Sequence, residues 1–287
     1  MKKKVLIFGK DGQLGFDLTR VFGSDYEVKG LNRQDVDITN APEVSGIIEK
    51  EKPDYILNAT AYNKVEAAET EEQLATAING WAVGNMAKAA KAVGAVFVHV
   101  STDYVFDGSK EFFIEDDMPN PLNAYGRSKL AGEALVKSIA QKYYLVRTSS
   151  VFGAKEGKQK KNFVDSIIEK ARAGQTLKVV NDQIMCPTYS YDLAVKIKEL
   201  IEKPAPFGLY HITNQGSCSW YEFAEKILEL MNTTAIVEPI STEQSGTKVN
   251  RPKRSVLKNS ALGHIGLPPM PQWQDALGRY LAEKYSS

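Results

Sequence analysis

Tyr125 and Lys129, four positions apart in the stretch YGRSKLAGE, are the residues of this 287-residue chain that most directly suggest chemistry. A helix beginning near Ala124 puts both side chains on one face. A free tyrosine, with a pKa of about 10, exchanges protons poorly at neutral pH; a nearby ammonium favours the phenolate and lowers that value. The same spacing also arises with the tyrosine packed at a helix start and the lysine solvated. It gains weight only if the chain supplies a cofactor loop and a third polar group.

Both are present. A first apolar run, VLIF (5–8), leads into Gly9, Asp11, Gly12, Gln13, Leu14 and Gly15, and then into an amphipathic helix. Glycines at this place let the backbone turn tightly and approach a pyrophosphate, whose charge is favoured by N–H groups at the helix start. The third polar group lies in HVSTDYVFDG (99–108). In an α/β chain, ligands gather outside the carboxyl ends of strands. Thr102, Asp103 and Tyr104 are therefore expected beside a nicotinamide, with Thr102 hydrogen-bonding the substrate oxygen. Hydride arriving at a carbonyl carbon creates an alkoxide, which Tyr125 can protonate as a general acid. Lys129 is expected to tune the phenol and to bind the nicotinamide ribose.

The elements needed to hold these residues are legible as alternation. Short β-rich runs at 5–8, 26–31, 55–60, 96–101, 143–148 and 177–180 are separated in the early chain by helical patterns at 14–22, 42–50 and 73–93. Near-continuous apolar strands with crossover helices imply a Rossmann-type α/β fold, a doubly wound parallel sheet covered on both faces. Residues 1–150 are expected to form the NAD(P)-binding domain, with 175–207 returning to it. Residues 151–174 and 208–287 are expected to form a smaller, partly interleaved substrate region. The segment AKEGKQKKN (154–162) reads as an exposed basic loop, the run after it as a helix ending at Gly174, GLYHIT (208–213) as a short strand, and 220–231 as a helix.

About 20 residues after a glycine loop of this kind an acidic residue commonly holds the adenosine ribose. Here Asn32 and Arg33 occupy that place in GLNRQDVDIT. Arg33 paired with a 2′-phosphate favours NADPH, NADH staying possible; the alternatives are a solvated Arg33, with Asp35 or Asp37 serving the ribose or adenine.

Lys plus Arg (36) nearly cancels Asp plus Glu (35), which gives no broad electrostatic case for binding nucleic acid or an anionic membrane. The apolar run after MKKK is too short for a signal peptide or a membrane span. Cys186 and Cys218 are the two cysteines, and His99, His211 and His264 lack ligand spacing, so neither a disulfide framework nor a metal site is expected. A cytoplasmic protein fits.

Taken with FGKDGQLG, DVDIT, NATAYNKVEAAE, VRTSSVFG, DQIMCPTYSYDLA and RPKRSVLKN, the chain resembles the extended short-chain dehydrogenases, and within them the dTDP-4-dehydrorhamnose reductase family. The resemblance implies that Asp11, Gly12 and Gln13 hold the pyrophosphate and that Asp37 and Ile38 meet the adenine. It implies that Ala59, Thr60, Ala61 and Tyr62 line the middle of the cofactor, and that Thr102 and Asp103 touch the sugar of a nucleotide-sugar substrate. A monomer or homodimer is expected. Two positions depart from the family pattern: Ser150 stands where a tryptophan is usual, and Met185 where a glycine is usual. The alternatives are a reductase or epimerase of another nucleotide sugar, or a non-catalytic NADP-binding regulatory subunit. A dehydratase commonly carries Asp-Glu after the threonine, whereas Asp103-Tyr104 follows it here. Retention of Tyr125 and Lys129 argues against lost catalysis.

Overall fold

The computed structural model describes residues 2–154, 162–203 and 205–285; the basic loop expected at 154–162 falls almost wholly outside them, as does Pro204. The first half runs β1 (Lys4–Phe8), α1 (Gln13–Phe22), β2 (Glu27–Leu31), α2 (Ala41–Glu51), β3 (Tyr55–Asn58), α3 (Val65–Ala68), α4 (Glu72–Thr76), α5 (Ala82–Val93), β4 (Val96–Thr102), α6 (Ala124–Ile139) and β5 (Tyr143–Thr148). The second half runs β6 (Val151–Phe152), α7 (Phe163–Arg172), β7 (Leu177–Val180), β8 (Ile184–Met185), β9 (Thr188–Tyr189), α8 (Ser190–Glu202), β10 (Gly208–His211), β11 (Cys218–Ser219), α9 (Trp220–Leu230), β12 (Val237–Ile240), α10 (Ser260–His264) and α11 (Trp273–Tyr285).

A six-stranded sheet in the order β10-β5-β4-β3-β1-β2 forms the centre, with every neighbouring pair parallel. Alternate residues of each strand face opposite sides, so the strands can be apolar throughout. Val5, Ile7, Leu57, Val98 and Val146 pack against α1 and α8. Leu6, Phe8, Ile56 and Phe97 pack against α2, α5 and α6. The chain turns from β1 to β2 on one side and returns to β3 on the other, which opens a crevice beyond the carboxyl ends of β1 and β3. A second core gathers Phe152 and Tyr189 with α7, α9 and α11. The small sheets β12-β7, β11-β8 and β6-β9 accompany it.

Three expectations are corrected. Residues 208–211, assigned from the sequence to the substrate region, form β10 and hydrogen-bond to β5 in the main sheet; LKVV, expected to return to that sheet, pairs as β7 with β12. The pattern of four apolar-rich residues is the same in either place, and only the partner differs. The helix expected over 73–93 is interrupted by a π-turn at Ala77–Trp81. Such a turn fits one extra residue into the helix and brings the Asn79 amide inward, where its oxygen accepts from Tyr62 N at 2.8 Å and its nitrogen donates to Tyr62 O at 3.0 Å.

Helix α6 meets this turn at Gly132, where a β-carbon would stand 2.1 Å from Asn79 O. Gly132→Ala therefore pits a helix-propensity gain of about 1 kcal/mol against a clash with fixed backbone, and the clash should win with a net loss of about 1–3 kcal/mol in urea unfolding. Gly278→Ala on α11, where nothing lies within 4 Å of the added carbon, should instead leave stability equal or raised. Equal effects of the two substitutions would refute the close approach.

Candidate active site

The loop after β1 is shaped by what its glycines leave out. Gly9 has φ of 90°, in the left-handed region, and donates its N–H to Leu31 O at 2.8 Å. A β-carbon on Gly15 would lie 1.9 Å from Gly9 O, so the helix can begin this close to the strand only with glycine there. Gly12 is the N-cap of α1 and supplies no side-chain cap, which leaves the first-turn N–H groups and their positive dipole end open to an anion. These features fit a pyrophosphate.

At the adenosine end, Asn32 Nδ2 donates to Asp11 Oδ2 at 2.8 Å, and the Asp35 carboxylate accepts from Asn32 N at 2.9 Å. Asp35 is thus spent on the loop's own backbone. Arg33 is exposed and acts on Asp37, whose carboxyl is held below its ordinary value mainly by the Thr39 N–H and hydroxyl. Ile38 is half-buried beside it, and Ala59 and Thr60 follow β3 at the same edge. Thr60 Oγ1 donates to Asn58 Oδ1 at 2.6 Å. Tyr62 is buried with its hydroxyl on Glu71 Oε2 at 2.7 Å, while Ala61 is exposed.

The reactive corner forms where β4 ends against the start of α6. Asn123 caps the helix by accepting from Gly126 N at 2.8 Å, and Glu69 accepts from Ala124 N at 2.7 Å. This start sets Tyr125 and Lys129 on the inner face. The Thr102 hydroxyl acts on the Tyr125 phenol, whose ring packs edgewise on Tyr104, centroids 5.8 Å apart. Thr102 donates its one proton to Asp103 Oδ1 at 3.0 Å and accepts from Tyr104 N at 3.2 Å. The sequence motifs thus converge on one corner.

The electrostatics differ from expectation in one respect. Burial raises the Tyr125 phenol well above its ordinary value, with the Asp103 and Tyr104 charges adding to the rise and the Thr102 hydrogen bond opposing it. Lys129 does not lower it: the ammonium donates to Val100 O at 2.7 Å, and burial brings its own pKa down to about 8. Burial likewise pushes Tyr104 up to about 12 and Asp103 up to about 6. Asp103 is 3% exposed, and the hydroxyls of Ser255, Ser149 and Thr102 converge on it. It lies under the corner, not open to it.

Sequence reasoning missed several residues here. Arg251 pairs with Glu66 and approaches the Tyr104 hydroxyl at 3.4 Å. Ser149 Oγ donates to Asp103 Oδ2 at 2.9 Å, and Glu133 binds Arg147 beneath Lys129. RPKRS, VRTSS and YGRSKLAGE contain Arg251, Ser149, Arg147 and Glu133, but no spacing rule links residues 14 to 185 positions apart. No group of three or more His, Cys, Asp or Glu able to hold a metal ion occurs among the described residues.

The family model described as the RmlD substrate binding domain matches residues 2–286. The chain is 36% identical to a dTDP-4-dehydrorhamnose reductase of Burkholderia thailandensis, covering 96% of this chain and 97% of the relative. The dTDP-4-dehydrorhamnose reductase of Bacillus anthracis, solved in complex with NADP, is 40% identical and superposes with a TM-score of 0.94 over 99% of this chain and 100% of that one. The chain belongs to the dTDP-4-dehydrorhamnose reductase family. The spore coat polysaccharide biosynthesis protein SpsK of Bacillus subtilis is also similar, at 37% identity over 99% of both chains.

The two departures noted above take different places within this family fold. Ser150 has φ of 44°, a left-handed conformation unusual for a residue with a side chain. Met185 is 3% exposed and packs in the second core, paired with Cys218.

Asp103 yields a stability test. Its folded pKa of about 6 lies above the ordinary 3.8, so the folded state holds a proton that the unfolded state has released between these values, and stability falls as pH rises through that window. Asp103→Asn should remove this contribution. Its loss between about pH 4 and about pH 7.5 should be smaller than the parent's by up to about 3 kcal/mol in urea unfolding. Parallel curves would show that Asp103 does not titrate there.

Proposed function

We propose that this protein catalyses the NAD(P)H-dependent reduction of the 4-keto group of dTDP-4-dehydro-L-rhamnose to dTDP-L-rhamnose, the last step of dTDP-rhamnose biosynthesis. The observation that carries the reading is the meeting of Tyr125, Thr102 and Lys129 at the end of β4 in a chain of this family whose α1 begins at an uncapped glycine loop.

Gly9, Asp11, Gly12, Gln13, Leu14 and Gly15 would hold the pyrophosphate, with Arg33 at the 2′-phosphate of NADPH and Asp37 and Ile38 at the adenine. Ala59, Thr60, Ala61 and Tyr62 would line the middle of the cofactor, and Lys129 would bind its ribose hydroxyls. The bound nicotinamide would supply hydride to the carbonyl carbon. Tyr125, kept protonated by its surroundings, gives its proton to the oxygen on which negative charge develops. An alkoxide is far more basic than a phenolate, so a raised phenol pKa still leaves this transfer downhill. Thr102 orients the phenol. Thr102, Asp103 and Tyr104 form the floor under the sugar.

Residues 151–174 and 208–287 supply the substrate side in this reading, with β10 lent to the main sheet. No helix among the described residues is long and apolar enough to cross a membrane, and a cytoplasmic enzyme acting on a nucleotide sugar as a monomer or homodimer, without nucleic acid as a partner, fits. The left-handed Ser150 at the usual tryptophan position favours one second reading, a different 4-keto nucleotide sugar.

The deciding assay mixes the protein, NADPH and enzymatically made dTDP-4-dehydro-L-rhamnose and follows loss of reduced-cofactor absorbance. Cofactor binding without oxidation in the presence of any 4-keto nucleotide sugar would sink the reductase reading. Tyr125→Phe should lower turnover at least about a hundredfold with NADPH binding nearly intact; an unchanged rate would remove Tyr125 as the proton donor. Arg33→Ala should raise KM for NADPH more than for NADH, whereas equal effects would refute the 2′-phosphate contact.

A further inference from the structure

Three residues of the motifs around the site have no part in the proposed reaction: Ser101, Glu133 and Arg147. The fold brings them together. Arg147 stands beside Ser101 in the β4–β5 register and beside His211 in the β5–β10 register, and α6 lays Glu133 against them. The Glu133 carboxylate accepts from Arg147 Nε at 2.9 Å and Nη2 at 2.6 Å, and from Ser101 Oγ at 2.6 Å. Both charged residues are 0% exposed. A buried pair of this kind costs so much desolvation that apolar side chains of similar volume commonly hold two elements together as well or better. Adhesion between helix and sheet is therefore a weak reason for charge here.

The field of the Glu133 carboxylate reaches Lys129, with which it makes no direct ion pair. This lysine lies one turn before Glu133 on the same face of α6 and is 2% exposed. An ammonium has three donors; one goes to Val100 O, leaving two for a ligand. Burial drives such a group towards the neutral amine, which would keep only two N–H bonds and no charge. Burial is the largest influence on Lys129 and Glu133 the one that opposes it. The other charged or titratable groups around it are Tyr125 and Lys137 on α6, His99 and Asp103 on β4 and just beyond it, and Arg147 on β5. His99 is buried, accepts from Asn58 at Nδ1 and is held far below its ordinary pKa, hence neutral. Lys137 leans on Glu133 from the other side at 3.9 Å, nearly half exposed.

We propose that Glu133 is the positioning residue of this site: locked in direction by Arg147 and Ser101, its carboxylate holds buried Lys129 as an ammonium, so that two donors and a positive charge stay available to the cofactor. The inference rests on the reading of Lys129 as a cofactor ligand. Arg147 acts through Glu133, by fixing the carboxylate and compensating it.

The test is calorimetric titration of NADP+ from pH 6.5 to 10. In the parent protein, affinity should hold on the acidic side and weaken above about pH 8, where Lys129 loses its proton. Glu133→Gln keeps the hydrogen-bonding shape and removes the charge, and should move this break down by about one pH unit or more. The pair Glu133→Gln with Arg147→Gln does not leave Arg147 as an uncompensated buried cation, so it should fold even if the single variant does not, and should move the break in the same direction by a smaller amount. In a Lys129→Arg background, whose guanidinium does not titrate, the break should vanish and Glu133→Gln should not bring it back. A break unmoved in both the single and the double variant, with only stability lowered, would overturn the proposal and leave the cluster structural. NADP+ binding without any break in the parent would overturn it as well. Failure of the parent to bind NADP+ at any pH would instead remove the cofactor reading, and this inference with it.

Discussion

Helix α6 lies closer to its neighbours than a side chain would permit. At Gly126 a β-carbon would stand 2.2 Å from Tyr104 O, and at Gly132 it would stand 2.1 Å from Asn79 O. The two glycines are six positions apart and bracket Lys129, so the segment that carries the lysine is held close to the end of β4 at one end and to the π-turn at the other. That approach lets Lys129 reach Val100 O and Tyr125 reach Thr102. The π-turn at Ala77–Trp81 belongs to the same arrangement. Its Asn79 amide binds the Tyr62 backbone in both directions and donates to Ser128 Oγ at 2.9 Å. The loop following β3 and helix α6 are thereby tied to one side chain.

Close packing has an electrostatic price, and the site uses the result. Tyr125, Asp103 and Lys129 are each driven by burial towards their uncharged forms. At the phenol this keeps the proton in place at neutral pH but makes the group a weaker acid. The group must arrive protonated and must give its proton only when an alkoxide, a much stronger base, forms beside it. For the lysine the same burial is adverse, because a neutral amine neither attracts an anionic cofactor nor offers three donors. A fixed carboxylate one turn away corrects the lysine, while the charges that act on Tyr125 come from Asp103 and Tyr104.

What could be read from the sequence is what depends on neighbours in the chain. The glycine loop, the apolar strands and the Tyr125/Lys129 spacing are local patterns with local causes, and the fold carries all of them. The sign of the Tyr125 shift was not readable, because spacing says which groups share a helix face but not how dry that face is. Glu133 with Arg147, Asn79 with Tyr62 and Arg251 with Glu66 are choices among many polar residues, made only when strands and helices meet. The placement of β10 shows the same limit, since four residues with strand character fit a small sheet or the edge of a large one, and hydrogen bonding to β5 decides.

The two sides of the site are therefore built in different ways, which bears on how a family can keep its chemistry while changing its sugar. The cofactor side rests on backbone shape, where a single β-carbon at Gly15 would collide with Gly9 O. The substrate side rests on side chains brought in from distant segments. Ser149 is the junction: its hydroxyl donates to Asp103 and accepts from Cys186 N at 3.4 Å, next to Met185 in the second core and to the left-handed Ser150. A change at position 150 or 185 therefore has a route of hydrogen bonds to Asp103 and on to Thr102, but meets the Tyr125 phenol only at the end of that route. If Tyr125 is the proton donor proposed above, the side chains around Ser149 can vary first and the donor last.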